Sequence, residues 1–280
     1  MSFESLDMTE IGLNEEQLKD FDRDGYIVIP GELTHAQVSS LIAESHKLLN
    51  EFSIDDHPMT KFTTGDNAKD VEATDKAHVG DSYFLESSDK IRFFFEEDAF
   101  DSNGKLLKPK DKAINKIGHH LHKLNNMFRS VSLTKRNEAI AQTLGYQDPR
   151  ILQSMLICKQ PEIGGAVPSH QDAVFLYTEP QSAIGWWYAL EDCTTKNGAL
   201  SFVPGSHKKS PIAKRFVRLD KLKTNQENTE TSEIVNAKFG TTFIPIPGIE
   251  ASPEPKDEDF KLLDCKAGSL VLIHNSVLHK

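Results

Sequence analysis

The second half of the chain consists of short apolar runs separated by turn-forming residues. From about residue 150 onward, Gly, Pro, Asn and Asp punctuate the runs RILQSMLICKQP, AVFLYTE, AIGWWYALED, GALSFVPGS and GSLVLIHNSVLHK. Runs of this length and spacing are typical of strands in a β-sandwich or barrel, and not of strands that alternate with helices in a parallel sheet. The sequence therefore predicts a mainly β core formed by residues beyond 150.

The first half of the chain predicts helices that flank this core. Residues 14–52 indicate a helix, a short strand and a second helix, for which Thr34 is the expected N-cap. The run DKIRFFFEE alternates almost as a strand does, whereas residues 114–131 show a helical pattern.

Two polar segments predict excursions from the regular structure. Residues 55–82 are polar and irregular, which indicates a loop. Residues 219–260 begin with a long polar stretch, and we expect a mobile segment that could form a lid over a site.

The charge balance and the cysteines exclude several classes of protein. A formal net charge of −10 and a pI of about 5.6 argue against a nucleic-acid surface, which needs a basic stripe, and against an anionic membrane surface. No apolar run approaches the ~20 residues that span a bilayer, and the acidic N-terminus lacks the order of a signal peptide. Cys158, Cys193 and Cys265 are far apart in sequence, which indicates reduced thiols. We expect a cytoplasmic protein and leave a peroxisomal location open.

The pair formed by His170 and Asp172 is a candidate edge of a metal site. On a strand, residues two apart point to the same face, so both side chains would project together. Two histidines and one carboxylate form the facial triad of non-haem Fe(II) oxygenases, which leaves positions open for a co-substrate and dioxygen. A zinc hydrolase can use the same ligand types, although the chain has no H-E-x-x-H motif, and a solvated loop pair is the alternative without a metal. The second histidine would be His274 or His279, which follow an apolar run.

A histidine cluster elsewhere carries a weaker signal. His119 and His122 would share one face of the predicted helix, but no carboxylate or cysteine lies at ligand spacing, so we predict no metal there. The run from Phe93 to Phe95 is predicted to lie in the core, with one ring able to line a substrate channel.

The chain resembles the phytanoyl-CoA dioxygenase family of Fe(II)- and 2-oxoglutarate-dependent oxygenases. The resemblance rests on seven segments that run in order over most of the chain: FDRDGYIVIPG, DKIRFFFE, INKIGHHLH, QSMLICKQP, SHQDAVFLYTEP, NGALSFVPGSH and GSLVLIHNSVLHK. It implies a mainly β fold with flanking helices and a double-stranded β-helix core of the jelly-roll or cupin-like kind. It also implies that residues 1–280 form a single dioxygenase domain.

The resemblance assigns the metal ligands and several co-substrate residues. It implies that His170, Asp172 and His279 bind Fe(II), and that His274 is structural. The residues that it implies for co-substrate binding are Lys116, Met155, His170, Asp172 and Trp187. An exposed helix lysine is the alternative for Lys116, and ordinary core positions are the alternative for Met155 and Trp187.

The family resemblance also implies an arginine shortly after the distal histidine, on the next strand, as the partner of the far carboxylate of 2-oxoglutarate. The sequence ends at Lys280, directly after His279, and contains no such arginine. We therefore expect one or more of the last core strands to be missing from this chain. A catalytically impaired protein or a truncated isoform is the corresponding alternative.

The function that the resemblance implies is the oxidation of a small molecule. We expect hydroxylation of a small organic or acyl substrate, such as an acyl-CoA, with 2-oxoglutarate decarboxylated to succinate and with Fe(II), 2-oxoglutarate and O2 as cofactors. Two alternatives remain: a protein that binds iron or 2-oxoglutarate without turnover, and a metal-free β-sandwich that serves as an interaction module.

Overall fold

The computed structural model describes residues 11–61, 82–218 and 241–280. The strands in these residues are β1 (Tyr26–Ile29), β2 (Ile91–Phe95), β3 (Ile114–His119), β4 (Ser154–Ile157), β5 (Ile184–Tyr188), β6 (Ser201–Phe202), β7 (Lys214–Arg218), β8 (Thr241–Pro245), β9 (Lys261–Leu262) and β10 (Leu270–His274). The helices are α1 (Glu15–Asp24), α2 (His35–Glu51), α3 (Ser82–Leu85), α4 (Leu121–Leu124), α5 (Asn126–Ser132) and α6 (Lys135–Thr143).

The N-terminal region forms the predicted succession of helix, strand and helix. The side chain of Asn14 caps α1, which ends at Gly25 in the left-handed conformation. Thr34 caps α2 through the backbone N–H of Gln37, so the prediction of this N-cap is confirmed. An N-cap of this type contributes about 1 kcal/mol to helix stability.

The first sheet has the order β1–β10–β5, with all its neighbours antiparallel. Leu270 and Leu272 of β10 pack with Phe21 of α1 on one face, while Val271 packs with Phe202 on the other. Because both faces of β10 are covered, its sequence is a continuous apolar run and not an alternating one. Each fully buried side chain of this size contributes about 1.5–3 kcal/mol.

The second sheet has the order β2–β3–β4 and corrects one prediction. Residues 114–119, which were predicted to be the start of a helix, form the central strand of this sheet, and helical structure begins only at Leu121. Ile114, Ile117 and Leu121 recur at helical spacing, but all three belong to the buried cluster beneath the sheet. Pairing with strands on both sides overrides the local pattern.

A second correction concerns AVFLYTE, which the sequence predicts to be a β-rich run. The backbone turns in a 3₁₀ helix at Asp172–Val174, and the N–H groups of Phe175 and Leu176 both return to the carbonyl of Asp172. The remaining short strands pair as β6 with β9 and β7 with β8. Most of the loop predicted at 55–82, and residues 219–240 of the predicted lid, lie outside the described residues. No helix in the described part of the chain is long and apolar enough to cross a membrane.

The glycine at the start of the β10 segment provides a stability test. Gly268 has φ +86°, and a Cβ there would lie 2.5 Å from the carbonyl oxygen of Leu33, whereas Gly31 has φ +68° and open space around it. We expect Gly31→Ala to lower the free energy of unfolding by about 1 kcal/mol, because the substitution adds only left-handed backbone strain. Gly268→Ala should cost about 3 kcal/mol, because a steric clash is added. Urea unfolding of both variants measures the difference, and equal losses would contradict the close packing of Gly268 on Leu33.

Candidate metal centre

A backbone pair brings the two ends of the site together. The N–H of His170 donates to the carbonyl of His279 at 2.9 Å, and the N–H of His279 donates back at 3.0 Å. Residues paired in this way project to the same side, and the two imidazole centroids lie 4.2 Å apart. His279 also forms a β-bridge with Phe202, and the Phe202 ring stacks on the His279 imidazole with 5.6 Å between the ring centroids.

Asp172 completes the cluster from the first residue of the 3₁₀ turn. Its Oδ1 lies 3.5 Å from Nε2 of His170 and 3.8 Å from Nε2 of His279. The sequence analysis expected one strand to carry both His170 and Asp172. This expectation is wrong, because His170 is in an isolated bridge and the chain turns at Asp172. The N–H of Ala173 donates to the carbonyl of Asn275 at 2.8 Å and fixes this turn against the segment that leads to His279.

The histidine tautomers fit a metal ligand set. Nδ1 of His170 lies 2.9 Å from the carbonyl of Pro168, and Nδ1 of His279 lies 3.1 Å from the carbonyl of Val277. A carbonyl only accepts, so each Nδ1 carries a proton, and in the neutral imidazole each Nε2 then presents a lone pair to Asp172. One ligand atom from each of the three residues falls within 4.8 Å of the others. Three lone-pair donors facing one point repel each other unless a proton or a metal ion lies between them, and this arrangement of second ring nitrogens is usual for metal-bound histidines.

Burial and charge set the protonation of the cluster. Burial lowers the pKa of His279, an effect that the Asp172 carboxylate partly offsets, and so favours the neutral imidazole. Burial opposes ionisation of Asp172, but a hydrogen bond from His170 and the charges that His279, His170 and Lys116 carry when protonated outweigh it and hold the pKa of the carboxyl below its usual value. Neutral imidazoles and an ionised carboxylate are the forms that bind a metal ion.

Lys116 is a buried lysine near Asp172, one of the three candidate ligands. It lies on β3, the central strand of the second sheet, and only 8% of it is exposed. The alternative of an exposed helix lysine is therefore wrong. Burial lowers the pKa of the Lys116 ammonium to about 7, while the charge of Asp172 raises it. A cation that has lost its hydration, close to a metal ligand, favours an anion beside it.

Comparison with known proteins agrees with this geometry. The family model described as phytanoyl-CoA dioxygenase (PhyH) matches residues 21–280. A Caenorhabditis elegans protein, phytanoyl-CoA dioxygenase domain-containing protein 1 homolog, is 40% identical over 262 residues, which cover 93% of this chain and 82% of that protein. The Bos taurus phytanoyl-CoA dioxygenase domain-containing protein 1 is 38% identical over 269 residues, which cover 96% and 84% respectively. The chain belongs to the phytanoyl-CoA dioxygenase family.

Solved structures of low sequence identity share the fold of this family member. EctD from S. alaskensis, solved with 2-oxoglutarate and 5-hydroxyectoine, has a TM-score of 0.55 at 17% identity over 96% of this chain and 70% of that one. SnoK, a non-heme alpha ketoglutarate dependent carbocyclase, has a TM-score of 0.51 at 16% identity, and the match covers 95% of this chain and 76% of SnoK. These similarities confirm the predicted fold, a mainly β, cupin-like double-stranded β-helix core with flanking helices.

The structure also locates Met155 and Trp187. Met155 lies on β4 opposite Gly118, and Gly118 is two residues from Lys116, so the pleat directs Met155 and Lys116 to one face. Trp187 packs with Phe202 and Val271, on the side of the sheet that His279 occupies. Trp186 packs with the cluster on the opposite side, so the two neighbouring tryptophans of β5 point to opposite faces of the sheet.

His274, His119 and His122 do not belong to the cluster of His170, Asp172 and His279. The ring of His274 contacts His207 at 4.8 Å and Phe21 at 6.0 Å. This position is on the helix side of β10. The expectation that His119 and His122 share a helix face is wrong, because His119 ends β3 and His122 lies in α4.

Two residues at the site were missed by the sequence analysis. A Cβ on Gly185 of β5 would lie 3.7 Å from Oδ2 of Asp172 and 3.2 Å from Cβ of Ile273. A glycine inside a strand is a signal of close approach, and it could have identified this position. The ring of Phe175 lies 6.2 Å from that of His170. Its place directly after the turn gives no sequence signal of this contact.

Proposed function

We propose that this protein is an Fe(II)- and 2-oxoglutarate-dependent dioxygenase that hydroxylates a small organic or acyl substrate. The observation that supports this most directly is the convergence of the Nε2 lone pairs of His170 and His279 with the carboxylate of Asp172. Such a triad holds a ferrous ion on one side and leaves the other side open. Membership of the phytanoyl-CoA dioxygenase family supports the same reaction class.

In this proposal the chain supplies binding, orientation and shielding. His170, Asp172 and His279 would hold the iron, which when bound supplies the dioxygen activation that couples decarboxylation of 2-oxoglutarate to oxidation of the substrate. The carbonyls of Pro168 and Val277 keep both imidazoles in the binding tautomer. Gly185 leaves space next to the Asp172 carboxylate, which a side chain would fill.

Lys116 would bind a carboxylate of 2-oxoglutarate. Burial is what lowers the pKa of Lys116, and a dianion beside it would favour the charged form. Met155 and Trp187 would form apolar walls that keep water from this pair, which strengthens the charge interaction. EctD from S. alaskensis, which has a similar fold, was solved with 2-oxoglutarate, and this supports a 2-oxoglutarate site in the present chain.

The substrate would approach over an aromatic cluster beside His170. The rings of Phe175, Phe216 and Phe243 lie 5.1–5.7 Å from one another. A cavity of about 330 Å³ adjoins them and is lined by Phe175, Tyr177, Arg215 and Phe216, among others. These walls favour a substrate with an apolar part.

Truncating this cluster should impair substrate use more than co-substrate use. We expect Phe216→Ala to lower kcat/KM for the organic substrate roughly tenfold, because loss of an aromatic contact costs about 1.4 kcal/mol. Consumption of 2-oxoglutarate without substrate should be unchanged, because in the described residues the Phe216 ring packs on the rings of Phe175 and Phe243 and not on the imidazole of His170 or His279. Parallel assays of product and succinate test this. A loss of both to the same extent would contradict a substrate-specific role.

The proposed function is tested by anaerobic reconstitution followed by turnover. The full chain is loaded with Fe(II) and 2-oxoglutarate without oxygen, and succinate is measured after air is admitted, with and without a panel of acyl compounds and small acids. We expect one iron per chain and succinate that requires iron. Binding of 2-oxoglutarate without succinate would identify a non-catalytic binding protein. Failure to retain iron would exclude the oxygenase, and failure to bind both iron and 2-oxoglutarate would also exclude the non-catalytic binding protein and leave the interaction module.

A further inference from the structure

Two of the three cysteines, far apart in sequence, meet across a β-bridge. The N–H of Cys193 donates to the carbonyl of Cys265 at 2.8 Å, and the N–H of Cys265 donates back at 3.1 Å. Residues paired in this way have Cα atoms about 5.5 Å apart. Disulfides most often join Cα atoms about 5.5–6 Å apart. The backbone therefore already has the separation that an S–S bond requires.

The side chains agree with the backbone geometry. The two thiols are close enough for each to shift the pKa of the other, and the Cys193 thiol donates to the carbonyl of Glu191 at 3.3 Å. Cys193 is half-buried and Cys265 is buried, and both thiols are free. Asp192 holds the two segments in register, because its carboxylate accepts from Nζ of Lys266 at 2.7 Å and from the N–H of Ala267 at 3.0 Å.

We propose that Cys193 and Cys265 form a reversible disulfide when the protein meets a peroxide. The Cys193 thiolate attacks one peroxide oxygen, the O–O bond breaks, and a sulfenic acid and water form. The Cys265 thiolate then attacks that sulfur, the S–O bond breaks, and the second oxygen leaves as water. Two thiols lose two electrons and two protons, and one hydrogen peroxide becomes two waters. A dithiol reverses the reaction.

The bond would join the outer ends of two strands without touching the candidate metal centre. Cys193 follows β5, and Cys265 precedes β10. The metal-side ends of these strands are the opposite ones, where Ile184 pairs with His274. The disulfide would close a loop of roughly 70 residues, so we expect it to raise the melting temperature by roughly 5–10 °C. Iron binding should be unchanged.

The reaction should be slow at neutral pH. Burial, and then the neighbouring Cys265 thiol and the charges of Glu191 and Asp192, raise the pKa of Cys193 to about 12. Only the thiolate reacts, so the rate should rise about tenfold per pH unit between pH 7 and 9.

The test is peptide mapping of the full chain after treatment with hydrogen peroxide at pH 8.5, with free thiols alkylated. We expect a linked peptide pair containing Cys193 and Cys265, and a fall from three free thiols to one. Dithiothreitol should restore all three. The matched controls are Cys158→Ser, which should fall from two thiols to none, and Cys193→Ser, which should show neither the linked pair nor the higher melting temperature.

Three outcomes would overturn the proposal. The first is that all three thiols remain free until the protein is unfolded. The second is that Cys193 is oxidised to sulfinic acid without a linked pair. The third is that the linkage forms only between two chains. Since none of these readouts requires turnover, they are independent of the proposed oxygenase activity.

Discussion

Replacing Asp172 by Ala should abolish iron-dependent consumption of 2-oxoglutarate and weaken metal binding roughly a thousandfold. The carboxylate is the single anion among the three ligands, and it lies within 4 Å of both Nε2 atoms. Loss of one partner from a buried charged site costs about 4 kcal/mol, which corresponds to roughly a thousandfold in affinity. Calorimetric titration with Co²⁺, a redox-stable substitute, measures the binding, and succinate formation measures the activity.

The histidines provide the matched control for this prediction. His279→Ala removes a ligand and should reproduce the Asp172→Ala loss. In the wild type, the N–H of Ser276 donates to Nδ1 of His274 at 3.1 Å. The variant His274→Asn keeps an acceptor for this N–H and should bind the metal as the wild type does. If His274→Asn loses the metal and His279→Ala keeps it, the ligand set is wrong. Circular dichroism of all three variants checks that the fold is intact.

The sequence predicted the elements whose local pattern and tertiary environment agree. The caps at Asn14 and Thr34 lie directly before amphipathic helices, so α1 and α2 follow from local chemistry. The apolar run at 270–273 is buried on both faces, and its strand assignment needs no partner information. Family resemblance supplied what the residues alone left open, namely that His279 and not His274 joins His170 and Asp172.

The strand β3 was missed because two periodicities coincide in its sequence. Ile114, Ile117 and Leu121 satisfy a helical spacing, yet Ile114 pairs opposite Phe95 at a bulge in the sheet. An irregular register of this kind removes the strict alternation on which strand prediction depends. The consequence for function is direct, because a helix would have left Lys116 on a solvated surface, and the strand buries it.

Contacts that depend on the closed fold could not be read from the sequence. The bridge between His170 and His279 and the bridge between Cys193 and Cys265 join segments that are far apart in the chain. Nothing in the spacing of either pair encodes the contact, since strand order sets it. The same holds for Gly185, whose approach to Asp172 depends on how β5 lies against the 3₁₀ turn.

Replacing Lys116 by Met should stabilise the protein without its ligands while impairing co-substrate binding. Replacing a buried cation by an apolar side chain of similar volume relieves a desolvation penalty of roughly 1–4 kcal/mol. Loss of the interaction between Lys116 and a carboxylate should weaken the binding of 2-oxoglutarate at least roughly thirtyfold. Truncating one partner of a buried charge pair costs about 2–5 kcal/mol of binding free energy. The matched control is Lys159→Met, since Lys159 is an exposed lysine that also lowers the pKa of Lys116.

The pH dependence separates this role from a purely structural one. The pKa of Lys116 is about 7 in the folded chain against 10.5 for an ordinary lysine, so between these values the unfolded chain binds more protons and stability rises with pH. The advantage of Lys116→Met over the wild type should therefore be largest at pH 7 and below, and should shrink as pH rises towards 10. Denaturant unfolding at several pH values measures this gap, and calorimetry measures 2-oxoglutarate binding. A variant that is less stable at every pH but binds 2-oxoglutarate normally would show that Lys116 supports the fold and not the co-substrate.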